Sequence, residues 1–162
     1  MKDKPLLIGV IGASNASSKG LENACQVGRL VAEAGAVVVC GGLGGIMEAA
    51  SRGAAEAGGM VIGILPESSA TQANPFVHLP IVTDMGHARN VIIAQTSNAL
   101  IAIEGEYGTL SEMAISLKLG KAVFVLDGWT DIAGATRVSS PAEAVAMALN
   151  AAGEVRYGKS GG

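Results

Sequence analysis

Two charged side chains, Arg89 and Glu112, are the strongest candidates for chemistry. Residues 90–103 contain no ionisable side chain, and a lone arginine beside such a segment requires an anion, either a ligand phosphate or a protein carboxylate. Glu112 lies near the start of a predicted helix, where a carboxylate could act as a general base or stabilise a developing positive charge. The sequence leaves open whether the pair serves a ligand or forms a structural ion pair.

Glu112 also has a purely structural interpretation. Thr109 and Glu112 match the S/T-x-x-E capping box, in which the two side chains pair with backbone N–H groups at a helix start. This motif predicts that Thr109 is the N-cap of the helix.

A second candidate is the loop GGLGG, which joins an apolar run to a helix. Backbone N–H groups in such a loop can approach an anion while the helix N-terminus faces it. A tight turn is the alternative, but the number of glycines favours ligand approach, and we predict contacts from Gly41, Gly42, Gly44 and Gly45. Glu48, Arg52 and Glu56 follow at four-residue spacing, which predicts a solvated, ion-paired helix face.

Several common functions are excluded by missing motifs. The first glycine loop, with Gly12 and Ser14, carries no G-x-G-x-x-G fingerprint, and the chain has no Walker A lysine. No His, Cys and Asp cluster has metal-ligand spacing, so we expect no metal and no resident cofactor. No lysine is marked for Schiff-base chemistry, which argues against a pyridoxal-phosphate decarboxylase.

The elements that must position these residues alternate regularly between short apolar runs and Ala-rich helical segments. Apolar runs without polar alternation predict strands buried on both faces, as in a parallel sheet, and the alternation predicts an open, doubly wound, Rossmann-like α/β domain with helices on both faces. We predict one domain over residues 1–152 and a flexible tail over 153–162. The predicted strands are six, at 6–11, 36–40, 60–65, 77–84, 99–103 and 122–126. The predicted helices are at 21–34, 46–57, 88–96, 110–119 and 141–152. Ligands of such sheets bind beyond the carboxyl ends of the strands.

The composition narrows the class further. The chain has 162 residues, of which 49% are hydrophobic, enough apolar content to exclude disorder. A net charge of −3 and 3% aromatic residues argue against nucleic-acid binding. No apolar stretch is long enough for a membrane helix, and we expect a soluble, cytoplasmic protein without membrane partners.

Three segments in order, GGLGGIMEAASRGA, MGHARN and EGEYGTLSE, resemble the Rossmann-like superfamily of the Lonely Guy phosphoribohydrolases. That superfamily includes the molybdenum cofactor carrier proteins and was long mislabelled lysine decarboxylase. The resemblance spans Leu6 to Leu126 and implies a homodimer that binds a nucleoside 5′-monophosphate, with Arg89 and Glu112 as the catalytic pair. The implied ligand contacts beyond the glycine loop are Met47, Asn90, Gly105, Tyr107, Gly108 and Thr109. Independently of the resemblance, we predict contacts from Gly12 and Ser14 in the loop after the first strand, where turn chemistry explains Ser14 equally well.

Three positions depart from the family pattern. Glu104 replaces its proline, Glu106 its second glycine and Asn90 its lysine. Two carboxylates beside a helix N-terminus repel a phosphate. Two functions therefore stay open: hydrolysis of the N-glycosidic bond to free base and ribose 5-phosphate, or a non-catalytic carrier or sensor of a nucleotide or pterin phosphate.

Overall fold

The computed structural model describes residues 4–157, with the backbone alone described at 155–157. The elements are β1 (Leu7–Gly12), α1 (Ser18–Glu33), β2 (Val37–Cys40), α2 (Ile46–Glu56), β3 (Val61–Leu65), β4 (Leu79–Val82), a 3-10 turn (Gly86–Ala88), α3 (Arg89–Thr96), β5 (Ala99–Ile103), α4 (Tyr107–Lys118), β6 (Val123–Leu126), β7 (Thr136–Arg137) and α5 (Pro141–Tyr157).

The strands form one sheet in the order β4-β3-β2-β1-β5-β6-β7, and every neighbouring pair is parallel. Strands β2, β5 and β6 are buried along their whole length, as their uninterrupted apolar runs require. The predicted α/β fold with a parallel, doubly wound sheet is confirmed. The chain order reverses between β1 and β5, which is where ligands bind in open sheets of this kind.

Helices cover both faces of the sheet. One face packs against α1, α2 and α5, through a core that includes Val27, Ala50 and Ala148. The other packs against α3 and α4, through a smaller core that includes Ile93 and Met113. The two layers hold the strand ends, and the loops that follow them, in fixed positions.

The structure differs from the sequence prediction mainly at the edges of elements. A seventh strand, β7, lies inside the predicted loop 127–140; it is two residues long and exposed, so it leaves no apolar run to recognise. The last helix continues past residue 152 to Tyr157, and the rest of the predicted tail, 158–162, lies outside the described residues. Within residues 4–157, no helix combines the length and the apolar character that crossing a bilayer requires.

Candidate functional site

A cleft of about 470 Å³ opens at the carboxyl edge of the sheet, beside the β1–β5 switch point. The loops after β1, β2, β3 and β5 meet the first residues of α3 and α4 there. The cleft is lined by Ile11, Gly12, Ala13, Ser14, Asn15, Gly41, Leu43, Met47, Pro66, Glu67, Gly86, His87, Arg89, Asn90, Glu106, Gly108, Thr109 and Glu112.

Arg89, the first residue of α3, provides the buried positive charge of this cleft. Its side chain is 7% exposed. Nε donates to the carbonyl oxygen of Ile64 at 2.8 Å, Nη2 to that of Gly41 at 3.4 Å, and Nη1 to Oδ1 of Asn90. A guanidinium has five N–H donors, so two remain for a ligand. Burial lowers the pKa of Arg89, and the nearby Glu112 carboxylate opposes that shift.

Asn90 holds this arginine in place. Its Oδ1 accepts from Arg89, while its Nδ2 donates to Oγ of Ser111 at 3.2 Å and lies 3.5 Å from the carbonyl oxygen of Gly108. The amide therefore connects α3 to the first turn of α4. Because asparagine replaces the family's lysine at this position, the cleft has one positive charge fewer. The asparagine amide instead fixes the orientation of the Arg89 guanidinium.

Glu112 lies on α4 and is 7% exposed. Among the described residues, its carboxylate forms no hydrogen bond and no ion pair within 4 Å. Burial raises its pKa from 4.5 to about 7, and the charge of Arg89 limits the shift. Arg89 and Glu112 thus line the same cleft without a direct salt bridge, and both have capacity left for a ligand.

Helix α4 begins at Tyr107, three residues before the predicted start. Thr109 therefore lies inside the first turn, and the capping-box interpretation of Thr109 and Glu112 does not hold. Glu106 occupies the N-cap position without a side-chain cap, so the first N–H groups of the helix lack intrahelical partners. Because Gly108 and Thr109 line the cleft, these donors and the helix dipole are available to an anion.

The two unusual carboxylates, Glu104 and Glu106, have different positions. Glu104 (φ +53°) is directed to the start of α1, where it accepts from the backbone N–H of Ser17 at 3.0 Å and from the Ser17 hydroxyl. It does not line the cleft, whereas Glu106 and Glu67 do. Glu104 therefore does not repel an anion in the cleft as the sequence suggested, whereas Glu106 still does.

The glycine loop contributes less to this cleft than its composition suggests. Of its glycines, Gly41 alone lines the cleft. The N–H of Ile46 donates to the carbonyl oxygen of Ala13 at 3.0 Å, and the carbonyl oxygen of Gly42 accepts from the N–H of Asn74 at 2.8 Å. At these two positions the loop is a tight turn packed against its neighbours, and ligand approach by its glycines stays a prediction.

Most of the remaining predicted contacts come together in the cleft. Gly12, Ser14, Met47, Asn90 and Thr109 line it, as Gly108 does. The predicted contacts that do not line it are Gly42, Gly44, Gly45, Gly105 and Tyr107.

Gly105 and Tyr107 have structural surroundings instead. A Cβ on Gly105 would lie 2.5 Å from Oγ1 of Thr109. The Tyr107 ring is 80% exposed and lies 5.9 Å from the ring of Trp129.

Sequence analysis missed Pro66, Glu67, Gly86 and His87 as lining residues. Pro66 and Glu67 directly follow β3, and the other two lie in the 3-10 turn before α3. Their residue types are ordinary for loops, so only their positions, directly after a strand or directly before a helix, indicated that they could line the cleft.

The fold is that of a Rossmann-like protein with an open cleft at its switch point. The chain belongs to the SLOG cluster4 family, whose model matches residues 5–154. The resemblance to the Lonely Guy and molybdenum cofactor carrier superfamily is thereby confirmed.

The chain is similar to several individual proteins over nearly its full length. It is 36% identical to the molybdenum cofactor binding protein of Rippkaea orientalis, with a TM-score of 0.86 over 91% of this chain and 97% of that one. It is 34% identical to the molybdenum cofactor carrier protein of Chlamydomonas reinhardtii, with a TM-score of 0.83 over 91% and 98%. An uncharacterized protein of Archaeoglobus fulgidus is 49% identical over 142 residues, which cover 88% of this chain and 93% of that one.

Proposed function

We propose that this protein is a carrier that binds a phosphorylated pterin of the molybdenum cofactor type in the Arg89 cleft and releases it unchanged. The observation that carries the proposal is the buried Arg89, which keeps two free donors beside the open N-terminus of α4. The similarity in sequence and structure to two proteins described by that cofactor supports it.

The chemistry of the lining residues fits such a ligand. A phosphate accepts hydrogen bonds from Arg89 and from the first N–H groups of α4, and both interactions are charge-assisted. A pterin ring carries neighbouring N–H donors on its pyrimidine edge, and the carboxylates of Glu67 and Glu106 are acceptors for them. The apolar side chain of Met47 lines the same cleft and offers a surface for the ring.

Hydrolysis of a nucleoside 5′-monophosphate is the second candidate, and the unpaired carboxyl of Glu112 favours it. With a pKa of about 7, this group is near the optimum for proton transfer at neutral pH. It would stabilise an oxocarbenium-like transition state and orient the attacking water, as carboxylates do in glycoside hydrolysis. Glu106 lines the same cleft and adds negative charge near the phosphate in both candidates, so it does not separate them.

Retention of the cofactor tests the carrier function. The purified protein is incubated with molybdenum cofactor released from a molybdoenzyme and separated from unbound material by gel filtration. We expect retained molybdenum and pterin fluorescence, with strong loss in Arg89→Ala. Arg29→Ala, which removes an exposed arginine that pairs with Glu56 outside the cleft, is the matched control. No retention, or equal retention by both variants, would contradict the proposal.

A panel of nucleoside monophosphates separates the two candidates. The carrier function predicts no release of free base, as followed by chromatography, from any of them. Release that is abolished in Glu112→Gln would establish the hydrolase instead.

A homodimer stays a prediction, and the edge strand β4 supports it. Leu79, Ile81 and Val82 are 49%, 40% and 44% exposed on this strand, which is more apolar surface than an edge strand normally leaves in water. Light scattering coupled to gel filtration measures the mass in solution; a monomer at micromolar concentration would contradict the prediction.

A further inference from the structure

A second cleft, of about 390 Å³, adjoins the Arg89 cleft. It lies between the start of α1 and the outer side of α2. Its lining residues are Ser14, Asn15, Ala16, Leu21, Gly45, Glu48, Ala49, Arg52 and Phe76. Ser14 and Asn15 line both clefts, so a single ligand can pass from one to the other across these two residues.

Ser14 and Asn15 are available to such a ligand. Both are exposed, and within the described part of the chain neither side chain forms a hydrogen bond. A hydroxyl and an amide in these positions are suited to the oxygens of a phosphate or diphosphate group.

Phe76 lines this second cleft, and a hydrogen bond anchors its main chain. The buried Asn74 accepts from the N–H of Phe76 at 3.1 Å. Its Nδ2 donates to the carbonyl oxygen of Leu43 at 3.0 Å and to Oγ of Ser51 at 3.4 Å. These bonds anchor the main chain at Phe76, and its half-buried ring lines the second cleft, where it offers a stacking surface for a planar group.

Glu48 and Arg52 add hydrogen-bonding capacity to the second cleft. They stand one helical turn apart on α2, but within residues 4–157 no ion pair joins them. The ion-paired helix face expected from their spacing is therefore not formed; the α2 residue that does pair is Glu56, with Arg29 of α1 at 3.2 Å. An unpaired acceptor and an unpaired donor beside an aromatic ring match the edge of a nucleobase, which carries both kinds of group.

We propose that the ligand extends into this second cleft and carries a second planar ring, a nucleobase joined through the phosphate, so that the bound molecule is of the dinucleotide class. The inference rests on the proposed function for the contents of the first cleft. In this arrangement Arg89 and the α4 N-terminus hold the phosphate of the pterin half, and Ser14 and Asn15 contact the phosphate of the nucleoside half. The second ring lies on Phe76 between Glu48 and Arg52.

The test compares two probes that differ only in the second half of the ligand: guanosine 5′-monophosphate and P1,P2-di(guanosine-5′) diphosphate. Isothermal titration calorimetry on the full chain should give about tenfold tighter binding of the two-ring probe, since stacking of one base contributes a factor of this size. Phe76→Leu keeps the apolar bulk but removes the ring, and should eliminate the gain. Phe76→Tyr should retain it.

Arg52→Ala, at an exposed position that tolerates substitution, should reduce the gain several-fold, while Arg29→Ala should not change it. Equal affinities for the two probes, a gain that survives Phe76→Leu, or binding of neither probe would each overturn the second subsite. Retention of the molybdenum cofactor by the same preparation is independent of these outcomes, so failure of the second subsite and failure of the carrier function are distinguishable.

Discussion

Helices α2 and α4 both begin at the carboxyl edge of the sheet, but their first turns are used differently. At α2, the N–H of Ile46 is taken by Ala13, and a Cβ on Gly45 would lie 2.3 Å from the carbonyl oxygen of Ser14. At α4, a Cβ on Gly108 would meet nothing within 4 Å, and the first N–H groups have no protein partner among the described residues. Gly45 serves the packing of the α2 loop, whereas the α4 turn keeps open donors and free space, which a ligand-binding turn requires.

The largest effect expected from this difference is on stability. Gly45 has φ +67° and ψ −132°, a region that residues with a Cβ avoid, and the added methyl would also strike backbone. Gly45→Ala should lower the free energy of unfolding by about 3 kcal/mol or more. Gly108→Ala should change it by less than about 1 kcal/mol, because alanine suits a helix and the space is open. Urea denaturation followed by circular dichroism measures both, and equal losses would remove the distinction between the two turns.

The second prediction concerns pH and the Glu112 carboxyl of the α4 turn. Its pKa in the folded protein is about 7 against an ordinary value of 4.5, so the folded state binds more protons than the unfolded state between these pH values. The free energy of unfolding should therefore fall as pH rises from 4.5 to 7, by on the order of 3 kcal/mol from this group, and level off above.

Glu112→Gln is the control for this pH dependence. Urea denaturation at several pH values should show a shallower decline for the variant than for the unsubstituted chain. Parallel curves would mean that burial does not raise the pKa of Glu112.

The third prediction tests whether the bidentate geometry of Arg89 matters or only its charge. Arg89→Lys keeps the charge but loses the fixed fork that Ile64, Gly41 and Asn90 orient. Affinity for a synthetic 6-substituted pterin phosphate, measured by calorimetry, should fall by about 2 kcal/mol, roughly 30-fold. Unchanged affinity would show that the phosphate depends on the α4 N-terminus alone.

The smallest effect concerns a third helix start, at α1, where protein side chains accept hydrogen bonds from the backbone N–H groups. Ser17 Oγ accepts from the N–H of Gly20 at 3.0 Å, and Glu104 accepts from the N–H of Ser17. Ser17→Ala should cost about 1 kcal/mol of stability. The exposed neighbour Ser18 makes no such bond, and Ser18→Ala, measured by the same urea denaturation, should cost less than about 0.5 kcal/mol. Equal losses would contradict the assignment of Ser17 as the cap.

The fold was readable from the sequence because six of its seven strands are short apolar runs, and β1, β2 and β3 end at a glycine or a proline. Residues 99–103 form β5 as predicted, whereas β7 has too few residues to produce a pattern. The start of α4 was misplaced for a different reason. The chain turns sharply at Glu104 and Gly105, with φ values of +53° and +114°, so the helix begins at Tyr107, and this tertiary constraint overrides the local capping motif.

Two residues that line the cleft were singled out from the sequence for different reasons. Arg89 stood out because no ionisable side chain follows it up to residue 103, and Glu112 because it lies near a predicted helix start. The contribution of Asn74 could not be foreseen, because its hydrogen bonds join segments that are distant along the chain. The direction of Glu104 was equally hidden, since its partner Ser17 lies 87 residues away.

The pairing of β1 with β5 has a consequence for synthesis of the chain. Ile8 of β1 pairs with Ala99 of β5. The central strand β1 can therefore pair with its second neighbour only after β5 has been synthesised. The first three strands and α3, which carries Arg89, can assemble early on the ribosome, but Glu112 joins them only when α4 docks. The cleft is thus completed only after β5 and α4 are in place, and a chain truncated before β5 would contain the glycine loop and Arg89 but lack the α4 side of the cleft.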